Sequence, residues 1–301
     1  MTRGAAKAGI RPGDRIAVVA TGFAVREAEL RSGLAALGAM GYDVAPGAHV
    51  LEQDGYLAGA DERRAEDLLE ALASPDVRAI WFARGGYGTA RLLPRIPWDA
   101  LATQPKLLIG YSDLTALFNP FIARTGGTCL YGPVVAELGD PAAFHRPSLA
   151  AALAGRPVEV RFARRQVLAP GRASGVLLGG NLVVLTHLLG TPFAAPLDGA
   201  VLFLEETGEQ VYRIDRMLTQ LGQAGTLSAL AGVILGGFAV EPRERFPPDR
   251  DLDAVLREAL LPLGIPVVRG LRAGHVAGKL TLPLGRRATI DTAAGTLRVA
   301  P

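Results

Sequence analysis

Lys106-Leu-Leu-Ile-Gly-Tyr-Ser-Asp-Leu-Thr-Ala-Leu117 changes character in its middle. An apolar run from Leu107 to Gly110 stops at Tyr111-Ser112-Asp113, and an apolar-periodic segment takes over at Leu114. The pattern predicts strand, sharp turn and helix, with one hydroxyl at the apex. A serine so placed stands off the sheet edge, where N–H groups opening the next helix can receive negative charge. Those are two requirements of an acyl-transfer nucleophile. The usual elbow has glycine two residues before and two after the serine; Gly110 fits, and Leu114 replaces the second. The competing role for Ser112 is an ordinary helix N-cap.

Outward from this turn, strands and helices alternate. Arg15 to Ala20 is a nearly continuous apolar run, suited to a strand buried on both faces of a parallel sheet. Val25 to Met40 reads as a helix with Leu30, Leu34 and Leu37 on one stripe, ended by Gly41. A strand follows near Tyr42 to Val50, broken by Pro46. Asp61 is the expected cap of a helix reaching about Ala73, and Val77 to Phe82, Lys106 to Gly110 and Thr128 to Leu130 are further strands. This rhythm predicts an α/β fold in which residues 1–150 form a wound parallel sheet of the flavodoxin or Rossmann kind. After residue 150 the pattern shifts. Residues 151–170 read as a linker region, with a half-exposed strand from Pro157 to Phe162, and Leu168 to Gly175 as a turn-rich loop. Short strands then recur at 201–204, 232–235, 266–268, 279–282, 288–290 and 296–299. With two helices, Glu209 to Leu221 and Asp251 to Leu261, they predict a smaller α+β domain over 171–301. Two domains also suit a chain of 301 residues.

Composition narrows the function classes. At 49% hydrophobic and 20% charged residues the chain is globular rather than disordered. Its apolar runs are strand-sized, so no membrane span is expected, and Met1 to Ile10 lacks a signal-peptide core; the expected location is the cytoplasm. The single cysteine, Cys129, excludes an intrachain disulfide and a multi-cysteine metal site. Only Lys7, Lys106 and Lys279 are lysines, and the arginines are dispersed among acids, as in Glu62-Arg-Arg-Ala-Glu66. No nucleic-acid partner is expected.

A second loop follows the strand ending at Phe82. Arg84-Gly-Gly-Tyr-Gly-Thr89 allows close backbone approach and leaves N–H groups free for an anion. It lacks the Lys-Ser/Thr pair of a P-loop, so a phosphate cradle, an oxyanion hole and a bare turn all remain open. It and Ser112 both follow strand C-termini, where open α/β sheets bind ligands. Of four histidines, His49 lies in a strand-like stretch, His145 near the linker and His187 in an apolar segment that suggests core packing. His275, in Arg272-Ala-Gly-His-Val-Ala-Gly-Lys279, is free to approach another element and suits a general base, with a free-imidazole pKa near ~6.5. Val201-Leu-Phe-Leu-Glu-Glu206 ends an apolar strand in two acids, and a buried glutamate needs a partner. Glu209 with Arg213 reads as a simple i,i+4 pair. No cluster has metal-ligand spacing, so neither a metal nor a cofactor is expected.

Taken in order, these motifs resemble the LD-carboxypeptidase family of serine peptidases, which includes muramoyl-tetrapeptide carboxypeptidases and microcin C immunity peptidases. The resemblance runs through Pro12 to Val19, Arg84-Gly-Gly-Tyr-Gly88, Gly110 to Thr115, Gly179-Gly-Asn-Leu182 with Leu189-Gly-Thr-Pro192, Leu202 to Glu206 with Tyr212 to Arg216, and Gly274-His275 before Leu282-Pro-Leu-Gly285. It implies a catalytic triad of Ser112, Glu205 and His275, with Glu205 preferred to Glu206, and an oxyanion hole from the N–H groups of Gly86 and Asp113. Arg84, beside that loop, is the candidate for binding the substrate's carboxylate. The implied activity is hydrolysis of an L,D peptide bond that releases a C-terminal D-amino acid from murein tetrapeptides, by a cytoplasmic homodimer acting on a small peptide. The alternatives are cleavage of peptidyl- or aminoacyl-nucleotide antibiotics, or non-catalytic nucleotide or anion binding. Two departures stand out: Thr21-Gly22 where the family often has Pro and a small residue, and Tyr131 where a histidine is common before Gly132-Pro133. Neither is expected to touch the triad.

Overall fold

The structure is a computed structural model that describes residues 9–101, 106–241, 248 and 250–301. The segment read for a leader lies outside them through residue 8. Strands β1 (Arg15–Val19), β2 (Asp43–Pro46), β3 (Val77–Phe82), β4 (Leu107–Gly110) and β5 (Cys129–Tyr131) are all parallel, in spatial order β5-β4-β3-β1-β2. This is the doubly wound order of flavodoxin-like sheets. Helices α1 (Glu27–Ala39), α2 (Asp61–Ala73), α3 (Trp98–Leu101) and α4 (Thr115–Thr125) fill the crossovers. Strand residues alternate between two buried faces. Ile16, Val18, Trp81 and Ile109 pack with Leu30 and Leu37 of α1, whereas Val19, Ile80, Phe82 and Leu108 join a core that continues into the second half of the chain. Asp61 does not cap α2. Ala60 is the N-cap, and the Asp61 carboxylate pairs with Arg64 and Arg91.

Helix α5 (Arg146–Leu153) leads to β6 (Val158–Arg161) and β7 (Val167–Ala169), which occupy the two outer edges of a second, eight-stranded sheet. Its centre is parallel: β8 (Arg172–Asn181), β9 (Val201–Glu209), β10 (Gly232–Val240) and β11 (Val267–Val268). The turn formers at 168–175 thus lie in two strands and a short connection rather than in one loop. Helices α6 (Leu182–His187), α7 (Val211–Gln223) and α8 (Leu252–Leu260) cover this sheet, and β13 (Arg287–Asp291) and β14 (Thr296–Val299) extend it antiparallel. One late strand, β12 (Leu282–Leu284), leaves this sheet and pairs antiparallel with β5, completing the first sheet. Among the described residues no helix is long and apolar enough to cross a membrane.

Candidate active site

β4 ends at Gly110, and Ser112 opens the 3₁₀ turn Ser112–Leu114 that leads into α4. Tyr111, not Ser112, is the N-cap, and Ser112 makes no capping bond. Among the described residues Ser112 is the one non-glycine residue with positive φ, at 67°. A strained backbone that persists must be held by its surroundings, and such strain clusters at reactive turns.

The three residues expected to form the triad come together. Ser112 Oγ lies 3.1 Å from His275 Nε2, and His275 Nδ1 lies 2.7 Å from Glu205 Oε2. An ionised carboxylate only accepts, so Nδ1 carries the proton and Nε2 is left to accept from the serine. The backbone N–H of His275 donates to the same Glu205 oxygen at 3.1 Å. Glu205 is fully buried at the middle of β9. The preceding residue of the histidine loop has to be small: a Cβ on Gly274, at φ 90°, would sit 2.4 Å from Glu205 Oε2.

Glu206, its neighbour, points elsewhere. It accepts from the Val183 N–H at 2.8 Å, the Thr207 N–H at 2.9 Å and Asn181 Nδ2 at 3.1 Å, tying β9 to the start of α6. Burial raises its pKa against the pull of those donors. The alternation of a strand explains the division: adjacent residues face opposite sides.

The glycine-rich loop after β3 approaches the serine. A Cβ on Gly85 would stand 2.9 Å from Ser112 Cβ, and one on Gly86, at φ 102°, would stand 2.2 Å from Phe23. Asp113 fastens this loop to the serine turn, its buried carboxylate accepting from the Thr89 N–H at 2.8 Å. Burial pushes the Asp113 pKa up to about 6, opposed by hydrogen bonds from Thr89 and Gly88 and by the Arg64 charge. Arg84 pairs with Glu29 at 3.6 Å and remains partly exposed. Both line a cavity of about 540 Å³ together with Gly85, Gly86, Tyr111, Ser112, Glu137 and His275.

Sequence reasoning missed four contributors. Tyr131 donates to Glu205 Oε1 at 2.7 Å and accepts from the Ser112 N–H at 3.1 Å, so this departure does touch the triad, contrary to expectation. Thr21-Gly22 does not; Thr21 meets Thr89 and Gly22 packs against Gly85 and Asp113. The Tyr111 ring lies 4.8 Å from that of His275, and its hydroxyl donates to Glu137 at 2.8 Å. Burial first, then the Glu137 charge, drives that hydroxyl's pKa upward. Buried Lys279 reaches the same Glu137 oxygen at 2.6 Å, bracing the histidine loop against the 3₁₀ turn Val135–Glu137 that follows β5. Lysine scarcity was a usable signal: in a chain that otherwise uses arginine, both described lysines are buried. The other histidines lie apart. His49 contacts Glu52, Glu66 and Asp67 in a turn after β2, and His145 N-caps α5. His187 is exposed at the end of α6 and is not a core residue. Among the described residues no group of three or more His, Cys, Asp or Glu could hold a metal ion.

Comparison with known proteins matches this architecture in both halves. Residues 16–132 match the LD-carboxypeptidase N-terminal domain, and residues 174–290 match the C-terminal domain. A Streptomyces coelicolor protein named as a carboxypeptidase is 42% identical over 296 residues, covering 96% of this chain and 94% of its own length. The murein tetrapeptide carboxypeptidase of Pseudomonas aeruginosa is 34% identical over 294 residues, covering 92% and 93%. The crystal structure of muramoyltetrapeptide carboxypeptidase from Oxalobacter formigenes superposes with a TM-score of 0.86 at 32% identity, covering 95% of this chain and 99% of that one. Matched in both halves, and aligned along nearly its whole length with relatives above 30% identity, the chain belongs to the LD-carboxypeptidase family and is a serine-type peptidase.

Proposed function

We propose that this enzyme cleaves the L,D peptide bond of murein tetrapeptides and releases the C-terminal D-amino acid, with Ser112 as nucleophile, His275 as general base and Glu205 as the carboxylate that orients it. The observation that carries the reading is the continuous hydrogen-bonded chain Ser112–His275–Glu205 opening on the cavity. In the first half-reaction His275 Nε2 takes the proton as Oγ attacks the carbonyl carbon. The N–H groups of Gly86 and Asp113 receive the oxyanion, and His275 returns its proton to the departing amine. Water, activated by the same imidazole, then hydrolyses the acyl-enzyme and frees Ser112. Arg84, on the cavity wall beside Gly86, binds the substrate's free carboxylate. Cell-wall recycling in the cytoplasm, by a homodimer, completes the reading, and sedimentation velocity tests the assembly.

The deciding experiment is mass spectrometry of purified muropeptide tetrapeptide incubated with the enzyme in EDTA. Loss of one terminal D-alanine is the expected result; an unchanged tetrapeptide overturns the substrate assignment. One observation favours a second reading, a peptidyl- or aminoacyl-nucleotide substrate. Phe23, on the cavity wall, continues outward through Tyr56 and Tyr87 with ring centroids 5.5 and 6.1 Å apart, and both tyrosines are exposed. Such rings can stack a base, so an aminoacyl-nucleotide conjugate belongs beside the tetrapeptide in the assay.

Two predictions arise here. Gly86→Ala drives a methyl group into Phe23 at φ 102° and moves an oxyanion donor, so kcat is expected to fall by roughly 10²–10³-fold and the melting temperature to fall with it. Measured kcat within threefold of wild type would remove Gly86 from the oxyanion hole. The second concerns Asp113. Its folded pKa, about 6, lies above the unfolded value, so it stabilises the fold fully below that unfolded value and loses this contribution as pH rises through about 6. Asp113→Asn does not titrate. The stability of wild type relative to this variant is therefore expected to drop between pH 4 and pH 7, by on the order of 2 kcal/mol. Urea melts of both proteins across that range check it; parallel curves contradict it.

A further inference from the structure

We propose that Tyr131 is a positioning residue for the hydrolysis, its buried hydroxyl fixing the backbone of the nucleophile on one side and the triad carboxylate on the other. The inference rests on the catalytic roles proposed above and adds a fourth member that the resemblance does not supply, since a histidine is common at this place in the family.

Geometry leaves the hydroxyl no freedom. It lies 2.7 Å from Glu205 Oε1 and 3.1 Å from the Ser112 backbone nitrogen. A carboxylate only accepts and an amide N–H only donates, so the phenolic proton points to Glu205 and a lone pair to Ser112. The ring is 1% exposed, edge-on to Phe203 at 5.3 Å and to Tyr111 at 6.0 Å, and its backbone pairs with Leu282 of β12. Burial, reinforced by the Glu205 charge, raises the phenol pKa well above its ordinary value, so the group stays a donor.

Each end has a consequence. At one end, the positive-φ turn of Ser112 is tied down by the bond its N–H makes to Tyr131. That N–H is then occupied, which agrees with oxyanion donors drawn from Gly86 and Asp113 instead. At the other end, Glu205 Oε2 takes two N–H groups of His275, while Oε1 takes the phenol. Removing the phenol makes the carboxylate more basic and strengthens its hold on the imidazolium, so the base remains protonated to higher pH. Tyr131 is not among the residues lining the cavity, so substrate affinity should be untouched.

The test compares wild type, Tyr131→Phe and Tyr131→His, each checked for a cooperative melt. The readouts are kcat and KM on the tetrapeptide from pH 5 to 9, and the rate of Ser112 labelling by a fluorophosphonate probe. Tyr131→Phe is expected to lower kcat by roughly 30- to 300-fold, keep KM within about threefold and move the acid limb up by about half a pH unit or more. Tyr131→His, which in its neutral form offers one donor and one acceptor, is expected to recover at least about tenfold of the loss. The other titratable and charged groups around the pair are Glu206 on β9, Asp113 after the serine, Arg84 on the cavity wall, and Tyr111 with Glu137 and Lys279 behind it; all are unchanged in Tyr131→Phe, so a limb moved in that variant reports on Tyr131. A folded Tyr131→Phe enzyme with kcat within about threefold of wild type, or with an unmoved limb, overturns the proposal. Should that variant fail to fold, Tyr131→His decides: activity within about thirtyfold of wild type supports the role, and a folded, inactive protein overturns it. If wild type labels at Ser112 yet spares the tetrapeptide, the substrate assignment fails while the labelling rates still judge Tyr131.

Discussion

Ser112→Ala is expected to abolish hydrolysis while the protein melts at nearly the wild-type temperature. The two halves of this result have separate physical origins. The chemistry has no other hydroxyl at the end of the His275 ring: Oγ is the atom 3.1 Å from Nε2, and a methyl group neither attacks a carbonyl nor yields a proton. Losses in serine peptidases stripped of the nucleophile reach about 10⁶-fold, the residual rate coming from the oxyanion donors and binding. The fold, by contrast, loses only the side chain's bond to the imidazole, a cost of about 1 kcal/mol. The backbone bond to Tyr131 and the strained φ are common to serine and alanine. Chromatographic measurement of released D-alanine, with thermal melts on the same samples, checks both halves. Turnover within tenfold of wild type would end the serine mechanism.

The second large effect separates two adjacent acids. Glu205→Gln is expected to lower turnover by about 10⁴-fold, as loss of the triad carboxylate does elsewhere. The replacement is nearly isosteric, but an amide can present its NH₂ to Nδ1 and so favour the tautomer in which Nε2 holds the proton and cannot accept from serine. Glu206→Gln acts on stability instead. Three donors converge on the Glu206 carboxylate, and a glutamine offers them one oxygen and a competing NH₂. A loss on the order of 1–3 kcal/mol with kcat within about tenfold is the expected outcome. Paired kcat values and urea midpoints decide it, and the opposite ranking would mean that the wrong acid faces His275.

Much of this site was legible because its logic is local. A strand stopping at Gly110, a turn, and a helix beginning near Thr115 are written in a dozen residues, and the same grammar locates the glycine-rich loop after Phe82. Glu205 and His275 were suspected individually from a buried strand end and a small-residue loop. Their meeting depends on contacts 70 and 163 positions apart in the chain, which no periodicity records; only the family resemblance joined them. β9 runs on through Glu205 and Glu206 to Glu209, although propensity would end it at Leu204. Tertiary partners make up the difference, since Tyr131, His275 and Asn181 donate hydrogen bonds to acids that a strand alone would not bury. β8 was unreadable for the converse reason: Gly171, Ser174 and Gly175 are turn formers, yet Gly175 packs so closely on Gly199 that a side chain would strike its carbonyl. His187 misled because an apolar run suggested burial, whereas a short helix leaves its last turn in water. Tyr131 looked remote from the triad because a hydroxyl's partners are set wholly by tertiary structure.

The pairing of Leu282–Leu284 with Cys129–Tyr131 bears on when the enzyme comes into being during translation. A ribosome delivers the first five strands early, but the free edge of Cys129–Tyr131 waits for a partner made some 150 residues later. Closing so large a loop is slow, and an open edge invites foreign pairing meanwhile. The same late segment follows His275 by seven residues, so the base is made only shortly before the strand that seals the edge. A nascent chain therefore carries a nucleophile that stays inert until its base is made, late in the second half of the chain and just ahead of the strand that closes the sheet.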